Sequence, residues 1–409
     1  MNRVLGFAVV AVACVACGNS NKSTNNKIML MPDAPTDTAP DAGPSQVTVE
    51  MFATPSLFMY RDGQGAWKTP TPDGQFKYLL DVTNDYEIVI VCANGGAFQA
   101  VLQAATIADG AMQFADCFAP TSGGTTVDVT GTMKQAGTIQ IGDVTQSKAT
   151  ANWSFDLAVA PGTHDVVAYD TDTMYVNRSQ DMTAATALGT LDVVASGTAM
   201  TAVPLVIGNV GSDTLGTELE WLLTNDFVFM TGTSATIETP PASLVMANDF
   251  EFLDVTATGT NTFRDGSAVF SGTDPGFTLP DPLTGVTLTA TSTDVTATWG
   301  TLSTYDSLAL YVSGGTTTAP QEQEVTVSQS WIQATSATHL TFDAMPPGYD
   351  ASWHVDLTSE YTRELFVSTS SGMTSYDSGY FETVNGTGLR APQQPSRARA
   401  RALRVRARR

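Results

Sequence analysis

Apolar side chains at every second position dominate the sequence between about residues 47 and 387. Val47, Val49 and Met51 alternate with polar residues, and Trp153–Val159 alternates without interruption. A period of two places successive side chains on opposite faces of an extended strand, whereas a helix needs a period near 3.6. The pattern therefore predicts an all-β body in which each strand turns an apolar face toward a core.

The composition favours short strands joined by tight turns. Only 15% of the 409 residues are charged, and 34 are glycine, whereas a helical protein would use more Glu, Lys and Leu. At roughly 100–200 residues per domain, the length indicates two to four domains. We expect tandem antiparallel β-sandwiches between a disordered N-terminal tether and a disordered basic C-terminal tail. The expected divisions are a signal peptide (1–17), a linker (18–46), a β domain (47–120), a β-sandwich (121–200), an uncertain β region (201–280), a further β-sandwich (281–387) and an Arg-rich tail (388–409).

Several segments can be placed more closely. Tyr86–Cys92 is almost entirely apolar, which is typical of a central strand buried on both faces. Ala97–Ile107 fits a helix or a strand equally well. Val286–Ala290 is expected to pair with Val295–Trp299, and Trp353–Leu357 is expected to form a late strand.

The first 17 residues have the features of an export signal. Arg3 supplies a positive charge, and Val4–Ala16 is an apolar run of 13 residues, shorter than the roughly 20 that span a bilayer. The small residues before Cys17, and the Gly and Asn after it, resemble the lipobox of bacterial lipoproteins. The resemblance implies lipidation of Cys17, with Cys14 as the alternative, and a lipid anchor in the cell envelope. The lack of Asp after Cys17 favours the outer membrane, and an ordinary secretion signal or an uncleaved anchor is the competing interpretation.

The two ends of the sequence are expected to be disordered. Residues 18–46 are rich in Pro, Asp, Thr and Ala and cannot bury enough surface to offset their ordering entropy. This linker resembles those of myxobacterial lipoproteins in composition. The tail holds eight Arg and no acid between Arg390 and Arg409. It is either an electrostatic clamp onto lipopolysaccharide or an acidic partner, or a stretch translated beyond the true stop.

The body is strongly acidic. The formal net charge of the chain is −22, and it becomes −22 − 8 = −30 without the eight Arg of the tail. A body of this charge repels nucleic acid and anionic lipid headgroups, so nucleic acid is not an expected partner.

Two cysteines, Cys92 and Cys117, lie in the body. Export to an oxidising compartment would make them a disulfide. Two buried free thiols and a metal pair are the alternatives, and a zinc site would lack further Cys or His ligands nearby.

Two segments resemble known β-sandwich families. Trp153–Val159, the turn Pro161–Thr163 and the apolar strand that follows resemble carboxypeptidase-regulatory-like domains, with His164 where Tyr is common. Trp299 on an early strand and the turn Pro346–Gly348 before a late aromatic strand resemble fibronectin type III and immunoglobulin-like modules. These resemblances imply a fold and not an activity.

The sequence offers few groups for catalysis. The chain has three His, namely His164, His339 and His354, and no nucleophile elbow, zinc-protease motif or phosphate-binding loop. Asp170 and Asp172 are weak calcium candidates without the spacing of a dedicated loop. No other cofactor is expected.

Carboxylate chemistry is harder to exclude, because a glycosidase pair can lie anywhere in a sequence. Glu218 and Glu220 are more simply alternate, solvent-facing positions of a strand. We therefore expect a non-catalytic envelope lipoprotein whose sandwich modules bind a protein or glycan. A carboxylate-dependent glycoside hydrolase, another secreted enzyme and a structural spacer are the alternatives. Surface recognition could use the aromatic side chains near the end of the body, which are Tyr361, Phe366, Tyr376, Tyr380 and Phe381.

Overall fold

The computed structural model describes residues 45–385 except 52–53, 75–76, 95, 110–124, 143, 233–234, 293, 303–304, 317–318, 343–344 and 372–373. The described residues form strands almost throughout, and the predicted all-β class is confirmed. The predictions for Cys14, Cys17, Cys117, the linker before residue 45 and the tail fall outside the described residues.

The chain forms two compact units. Among the described residues, unit 1 contains 45–109, 283–371 and 379–385, and unit 2 contains 125–282 and 374–378. Unit 2 is therefore largely inserted between the two halves of unit 1 along the sequence.

The strands are numbered in chain order. The first part of unit 1 contains β1 (Ser45–Glu50), β2 (Leu57–Asp62), β3 (Thr71–Pro72), β4 (Lys77–Val82), β5 (Asp85–Asn94) and β6 (Ala97–Thr106). Unit 2 contains β7 (Val127–Met133), β8 (Gly137–Ile141), β9 (Val144–Lys148), β10 (Trp153–Val159), β11 (Gly162–Tyr169), β12 (Thr173–Met182), β13 (Thr186–Leu191), β14 (Thr198–Ala199), β15 (Thr201–Pro204), β16 (Ile207–Gly208), β17 (Thr214–Leu222), β18 (Phe227–Gly232), β19 (Thr236–Thr239), β20 (Phe250–Thr258), β21 (Thr262–Phe270) and β22 (Phe277–Thr278). The chain then continues with β23 (Thr287–Ala290), β24 (Val295–Thr298), β25 (Ser307–Thr316), β26 (Ala319–Ser328), β27 (His339–Leu340), β28 (Tyr361–Ser371) and β29 (Thr374–Val384).

Helical structure is confined to short connections within the described residues. Two α-helices, α1 (Val193–Ser196) and α2 (Gln329–Thr335), follow strands, and single 3-10 turns cover Ile107–Asp109 and Ala351–Trp353. The side chain of Ser328 caps α2 by accepting a hydrogen bond from the Trp331 amide, which satisfies one of the free donors at the helix start.

Unit 1 is built in layers. Its central sheet has the order β29-β28-β25-β26-β6-β5-β2, and the small sheets β1-β4-β3 and β23-β24-β27 complete it. Three layers form because strand β5 has an apolar core on each of its faces. Val89 and Val91 belong to the core shared with β23 and β24. Ile88 and Ile90, on the other face, belong to the core shared with β1 and β4. Both faces of β5 are buried, as the continuous apolar run of Tyr86–Cys92 predicts.

Unit 2 repeats this principle. The sheet β10-β7-β13 packs on the sheet β14-β12-β11-β8-β9, and the strands β18-β17-β20-β21 form a further layer. In β11, Val166 and Ala168 belong to the core between the two sandwich sheets. Val167 points the other way and belongs to the core shared with β17 and β20, which contains the fully buried Trp221. The region 201–280, whose β structure was uncertain from sequence, is thus a layer packed on the preceding sandwich.

Strand pairing divides the body differently from the expected row of consecutive domains. Segments 47–120 and 281–387 were expected to be separate domains, yet β6 pairs in parallel with β26, with Phe98 opposite Gln321 and Ala104 opposite Val327. Parallel pairing requires the intervening chain to cross over, and the residues of unit 2 lie in that crossover.

Two local expectations are resolved. The ambiguous segment Ala97–Ile107 is strand β6, and Trp353–Leu357 is not a strand, because a 3-10 turn covers Ala351–Trp353. The structure also shows that the Pro161–Thr163 turn joins two strands that do not pair with each other. Instead, β10 pairs with β7 while β11 pairs with β8 and β12, so the turn carries the chain from one sheet to the facing sheet.

Candidate functional site

Unit 2 holds a dense group of ionisable side chains between its layers. We call it the charged cluster, and it consists of His164, Asp165, Arg178, Asp226, Asp249 and Glu251. The cluster forms at a β-bulge: the register of β11 against β12 shifts between His164 and Val166, and Ser179 opposite has a left-handed backbone with φ 52°. Bulges redirect side chains, which is why they are frequent beside functional groups.

His164 is held at both ring nitrogens. Its Nδ1 lies 3.0 Å from Oδ1 of Asp226, and its Nε2 lies 2.8 Å from the carbonyl oxygen of Ala160. The carbonyl accepts only, so Nε2 carries a proton and donates it. Burial raises the pKa of Asp226 above its ordinary value, opposed by hydrogen bonds from the Asp165 amide and His164.

Arg178 is the cationic centre of the cluster. Its Nη2 lies 2.6 Å from Oδ2 of Asp249 and 2.9 Å from the carbonyl oxygen of Leu244, and its Nη1 lies 3.2 Å from Oδ1 of Asp249. The same Nη1 is 3.6 Å from Oδ2 of Asp165, and the guanidinium stacks 4.9 Å from the Trp221 ring centroid. The planar guanidinium thus bridges β12, the start of β20 and the face of β17.

Asp165 joins the bulge to the turn between β17 and β18. Its side chain is buried and accepts hydrogen bonds from the Ser179 amide at 2.7 Å, from Asn225 Nδ2 at 3.1 Å and from the Asn225 amide at 3.2 Å. These bonds satisfy a carboxylate that burial alone would penalise. They also account for the left-handed backbone of Ser179, because this conformation directs its amide toward Asp165.

Glu251 is the member with the most altered acidity. Burial raises its pKa to about 7, and the negative charge of Asp249 adds to the shift. Glu251 lies opposite Trp221 in the register of β17 and β20, so it faces the same apolar core. Its carboxyl therefore changes protonation near neutral pH.

The arrangement is suited to holding layers together. The groups of the cluster bind one another and the backbone of neighbouring turns. Within the described part of the chain, the His164 ring bonds to Asp226 and to the carbonyl oxygen of Ala160, and not to a nucleophile such as Ser or Cys. Among the residues that the structure describes, no group of three or more His, Cys, Asp or Glu could hold a metal ion. The charged cluster is thus an internal polar network.

Most of these residues could not be singled out from the sequence. His164 could be singled out because His is rare in the chain, whereas Asn225-Asp226 was recognisable only as a turn. One signal was available: the body has four Arg between residues 47 and 387. Because Arg is rare in this acidic chain, each of the four is expected to have a carboxylate partner. In the structure each lies at a largely buried position and forms one of the ion pairs Arg61–Glu87, Arg178–Asp249, Arg264–Asp213 and Arg363–Glu382.

The calcium candidates occupy a turn. Oδ1 of Asp170 accepts hydrogen bonds from the amides of Asp172 at 2.9 Å and Thr173 at 2.7 Å. This geometry shapes the β11–β12 connection. Calcium binding at Asp170 and Asp172 stays a prediction.

Other sequence candidates are placed as follows. Cys92 is buried in the core shared with β1 and β4, and Cys117 lies outside the described residues, so their disulfide stays a prediction. Glu220 is only 2% exposed, so its expected solvent-facing position is wrong. Nδ1 of His354 lies 3.3 Å from Nε2 of Gln323. Burial lowers the pKa of the His354 imidazole below its ordinary value.

The aromatic residues near the end of the body are largely internal. Tyr361, Phe366 and Phe381 are buried, and Tyr376 packs edge-to-face on Phe277 with ring centroids 6.4 Å apart. Tyr380 is partly exposed. The structure therefore does not support the interpretation that these aromatic residues form an exposed surface that binds a ligand.

Comparisons with known proteins are sparse. No family model and no curated protein matches the chain. Among solved structures, the chain is similar to the FN1–FN3 domains of chicken CNTN1, with 10% identity, 58% of this chain and 86% of that chain covered, and a TM-score of 0.14. No helix among the described residues is both long and apolar enough to cross a membrane. The chain is an all-β protein of packed sheets, a class that its own strand pairing defines.

Proposed function

We propose that the chain is an exported, lipid-anchored envelope protein that presents non-catalytic β-sheet layers to a protein or glycan partner. The anchor is Cys17, or Cys14 in the alternative processing, and residues 18–46 act as the tether. The cell outer membrane is the proposed location. Binding of a partner is a common role of stacked β-sheet modules, because the packed sheets form a rigid scaffold and the loops between strands can vary in sequence.

The observation that carries the non-catalytic role is the way the charged cluster is used. A general base needs a free nitrogen or carboxylate directed at a substrate proton. His164 instead contacts Asp226 and Ala160 with its two nitrogens, and Asp249 is fully buried against Arg178. These acid–base pairs of unit 2 are therefore used in cohesion between its layers.

The lipid anchor is tested by metabolic labelling with a clickable fatty acid. We expect label on the wild-type chain and on Cys14→Ser, and none on Cys17→Ser, because the thiol of Cys17 is the acceptor. Cys92→Ser is the matched control and should keep the label. Label lost only in Cys14→Ser would move the anchor to Cys14, and an unlabelled wild type would contradict lipidation.

The binding role is tested with the purified mature chain on a glycan array and on immobilised lipopolysaccharide and peptidoglycan. We expect saturable binding to one class without release of product. The heat-unfolded chain is the control, because nonspecific adhesion survives unfolding and loop-based recognition does not. Steady production of reducing sugar from any bound glycan would contradict the non-catalytic role and favour a glycoside hydrolase.

A further inference from the structure

A connecting segment covers part of the apolar core of unit 1. We call residues 345–357 the strap, which lies between β27 and β28 and includes the 3-10 turn Ala351–Trp353. Five of its side chains lie in or against the core shared with β23 and β24, and they are Met345, Tyr349, Trp353, Val355 and Leu357. Between β27 and β28 the described residues form no strand, so the position of the strap depends on side-chain contacts rather than on a sheet ladder.

Two glutamines of β26 hold the end of the strap. Oε1 of Gln323 accepts a hydrogen bond from the Val355 amide at 3.0 Å, and Oε1 of Gln321 accepts one from the Asp356 amide at 3.0 Å. The two glutamines are two residues apart on a strand, so both project to the side that the strap covers. Gln323 is only 4% exposed, so its amide group finds its partners within the protein.

The orientation of the Gln323 amide follows from these partners. The backbone amide of Val355 only donates, which places Oε1 of Gln323 toward it and Nε2 toward the other side. There Nε2 lies 3.2 Å from the Tyr349 hydroxyl and 3.3 Å from Nδ1 of His354. The Tyr349 hydroxyl donates its own proton to the carbonyl oxygen of Trp353 at 2.5 Å, so it accepts from Gln323. Two independent contacts thus agree on the same orientation.

The same contacts determine the protonation of His354. An amide nitrogen donates and cannot accept, so Nδ1 of His354 accepts the bond from Gln323 with its lone pair. The ring is therefore neutral, with its proton on Nε2. A proton added to Nδ1 would face the N–H of Gln323. Protonation of His354 thus replaces a hydrogen bond with a repulsive contact between two donors.

One carboxylate opposes the preference for a neutral ring. Asp294 lies in the turn between β23 and β24, and its negative charge raises the pKa of His354. Burial has the larger effect and lowers that pKa below the ordinary 6.5. The Asp294 carboxyl is itself held by the Thr341 hydroxyl and by the Phe342 amide, so it is not the hydrogen-bond partner that Nδ1 would need.

The other ionisable groups of the strap keep one protonation state near neutral pH. Tyr349 packs edge-to-face on the His354 ring with centroids 5.2 Å apart, and burial raises its pKa further above the ordinary 10. Hydrogen bonds within their own turns lower the pKa of Asp350 and of Asp356. The strands beneath contribute side chains that do not titrate, namely Gln323 of β26 and Phe98, Ala100 and Leu102 of β6. His354 is therefore the group that changes charge.

We propose that the strap is a pH-sensitive lid on the apolar core of unit 1, closed while His354 is neutral and released when its Nδ1 takes a proton. The closed strap binds this proton less tightly than the open strap, in which the imidazole has its ordinary pKa of 6.5. Closure is therefore fully favoured above about pH 6.5 and weakens as the pH falls below it. Release exposes the apolar surface that the strap covers. This inference is independent of the proposed envelope function.

Hydrogen–deuterium exchange of the full mature chain, read by mass spectrometry at about pH 7.5 and about pH 5, tests the proposal on either side of the ordinary titration of His. The measured quantity is the protection factor of peptides that cover the strap, which removes the intrinsic pH dependence of exchange. Protection should fall at least about threefold at the lower pH, as a pKa difference of about half a unit requires. Strand β25 should keep its protection. An equal loss in β25 would overturn the proposal, since all of unit 1 would then loosen.

The variant His354→Asn separates titration from packing. The introduced amide oxygen can accept a hydrogen bond from Gln323 as Nδ1 does, but it does not titrate, so the strap should be equally protected at both pH values. His339→Asn is the matched control, because His339 is exposed on β27, and it should keep the loss seen in the wild type. A loss in His354→Asn as large as in the wild type would overturn the proposal.

A second variant keeps the test valid if His354→Asn does not fold. Gln323→Glu replaces the donor that faces Nδ1 with a carboxylate oxygen, which accepts a hydrogen bond from a protonated His354. The response should then reverse its sign, with the strap better protected at about pH 5 than at about pH 7.5. A loss of protection at the lower pH equal to that of the wild type would count against His354 as the trigger.

Discussion

Arg178 and Asp249 form a two-pronged ion pair, with Nη2–Oδ2 at 2.6 Å and Nη1–Oδ1 at 3.2 Å, between strand β12 and the start of β20. The Asp249 side chain is fully buried. A buried carboxylate of this kind depends on its cation, because desolvation of one charge is offset only while the other is present.

Removal of the cation should therefore destabilise unit 2 strongly. Arg178→Met leaves the Asp249 charge buried and unpaired, and we expect a loss of about 3–5 kcal/mol in the free energy of unfolding. Urea unfolding followed by tryptophan fluorescence measures it. Adding Asp249→Asn should recover much of the loss, and Lys134→Met, which removes an exposed partner of Asp192, should change stability far less. A loss below about 1 kcal/mol in Arg178→Met would show that the pair is as weak as a surface pair.

Glu251 should make stability depend on pH in a defined window. Its folded pKa of about 7 lies above the ordinary 4.5 of the unfolded chain, so the folded state binds the proton more tightly. Stability from this group is full below about pH 4.5 and is lost as the pH rises toward 7, by an amount on the order of 3 kcal/mol.

Glu251→Gln should abolish that decrease, which chemical denaturation at a series of pH values between 4 and 8 measures. The variant should gain stability relative to the wild type as the pH rises. Glu238→Gln, on strand β19, which pairs with β15, is the control and should keep the wild-type profile. Parallel profiles for the wild type and Glu251→Gln would refute the role of Glu251.

The predicted disulfide between Cys92 and Cys117 has a direct chemical test. Without reductant, the denatured mature chain should show neither body thiol reactive toward a maleimide, and both should react after reduction. Closure of a loop of about 25 residues should contribute roughly 3 kcal/mol, so Cys117→Ser should lower the melting temperature. Two reactive thiols in the unreduced, denatured chain would identify free cysteines instead.

A side chain at Gly131 should destabilise unit 2. A Cβ at this position of β7 would lie 2.3 Å from Cζ of Phe155 and 2.8 Å from the carbonyl oxygen of Gly189. Gly131→Ala should cost about 1–3 kcal/mol by overpacking, measured by thermal unfolding. Gly300→Ala is the control, because the nearest atom to its Cβ would be 4.0 Å away. Equal melting temperatures for the two variants would show that the sandwich expands without cost at Gly131.

The sequence predicts strands well because the period of two is a local property. Trp153–Val159 forms β10 with every second residue buried, and Tyr86–Cys92 lies in a strand buried on both faces. Partner choice is a different matter. The pairing of β6 with β26 joins backbone groups far apart in sequence. Neither strand has a local sequence feature that identifies the other as its partner.

The charged cluster shows the same limit. His164 could be singled out because His is rare in this chain, but its partner Asp226 comes 62 residues later and Asp249 lies in another turn. An aspartate in a turn is ordinarily a solvated turn former. Only the packing of two layers turns these residues into buried partners, so the chemistry of the cluster follows from tertiary structure.

The parallel pairing of β6 with β26 also determines when folding can finish. An elongating chain presents β6 long before Gln321–Val327 is synthesised, and until then one edge of β6 lacks its hydrogen-bonding partner. Contacts of such sequence separation slow folding, and open strand edges invite association between chains. The first half of unit 1 therefore cannot complete its sheet until the inserted unit 2 and then β26 have been synthesised.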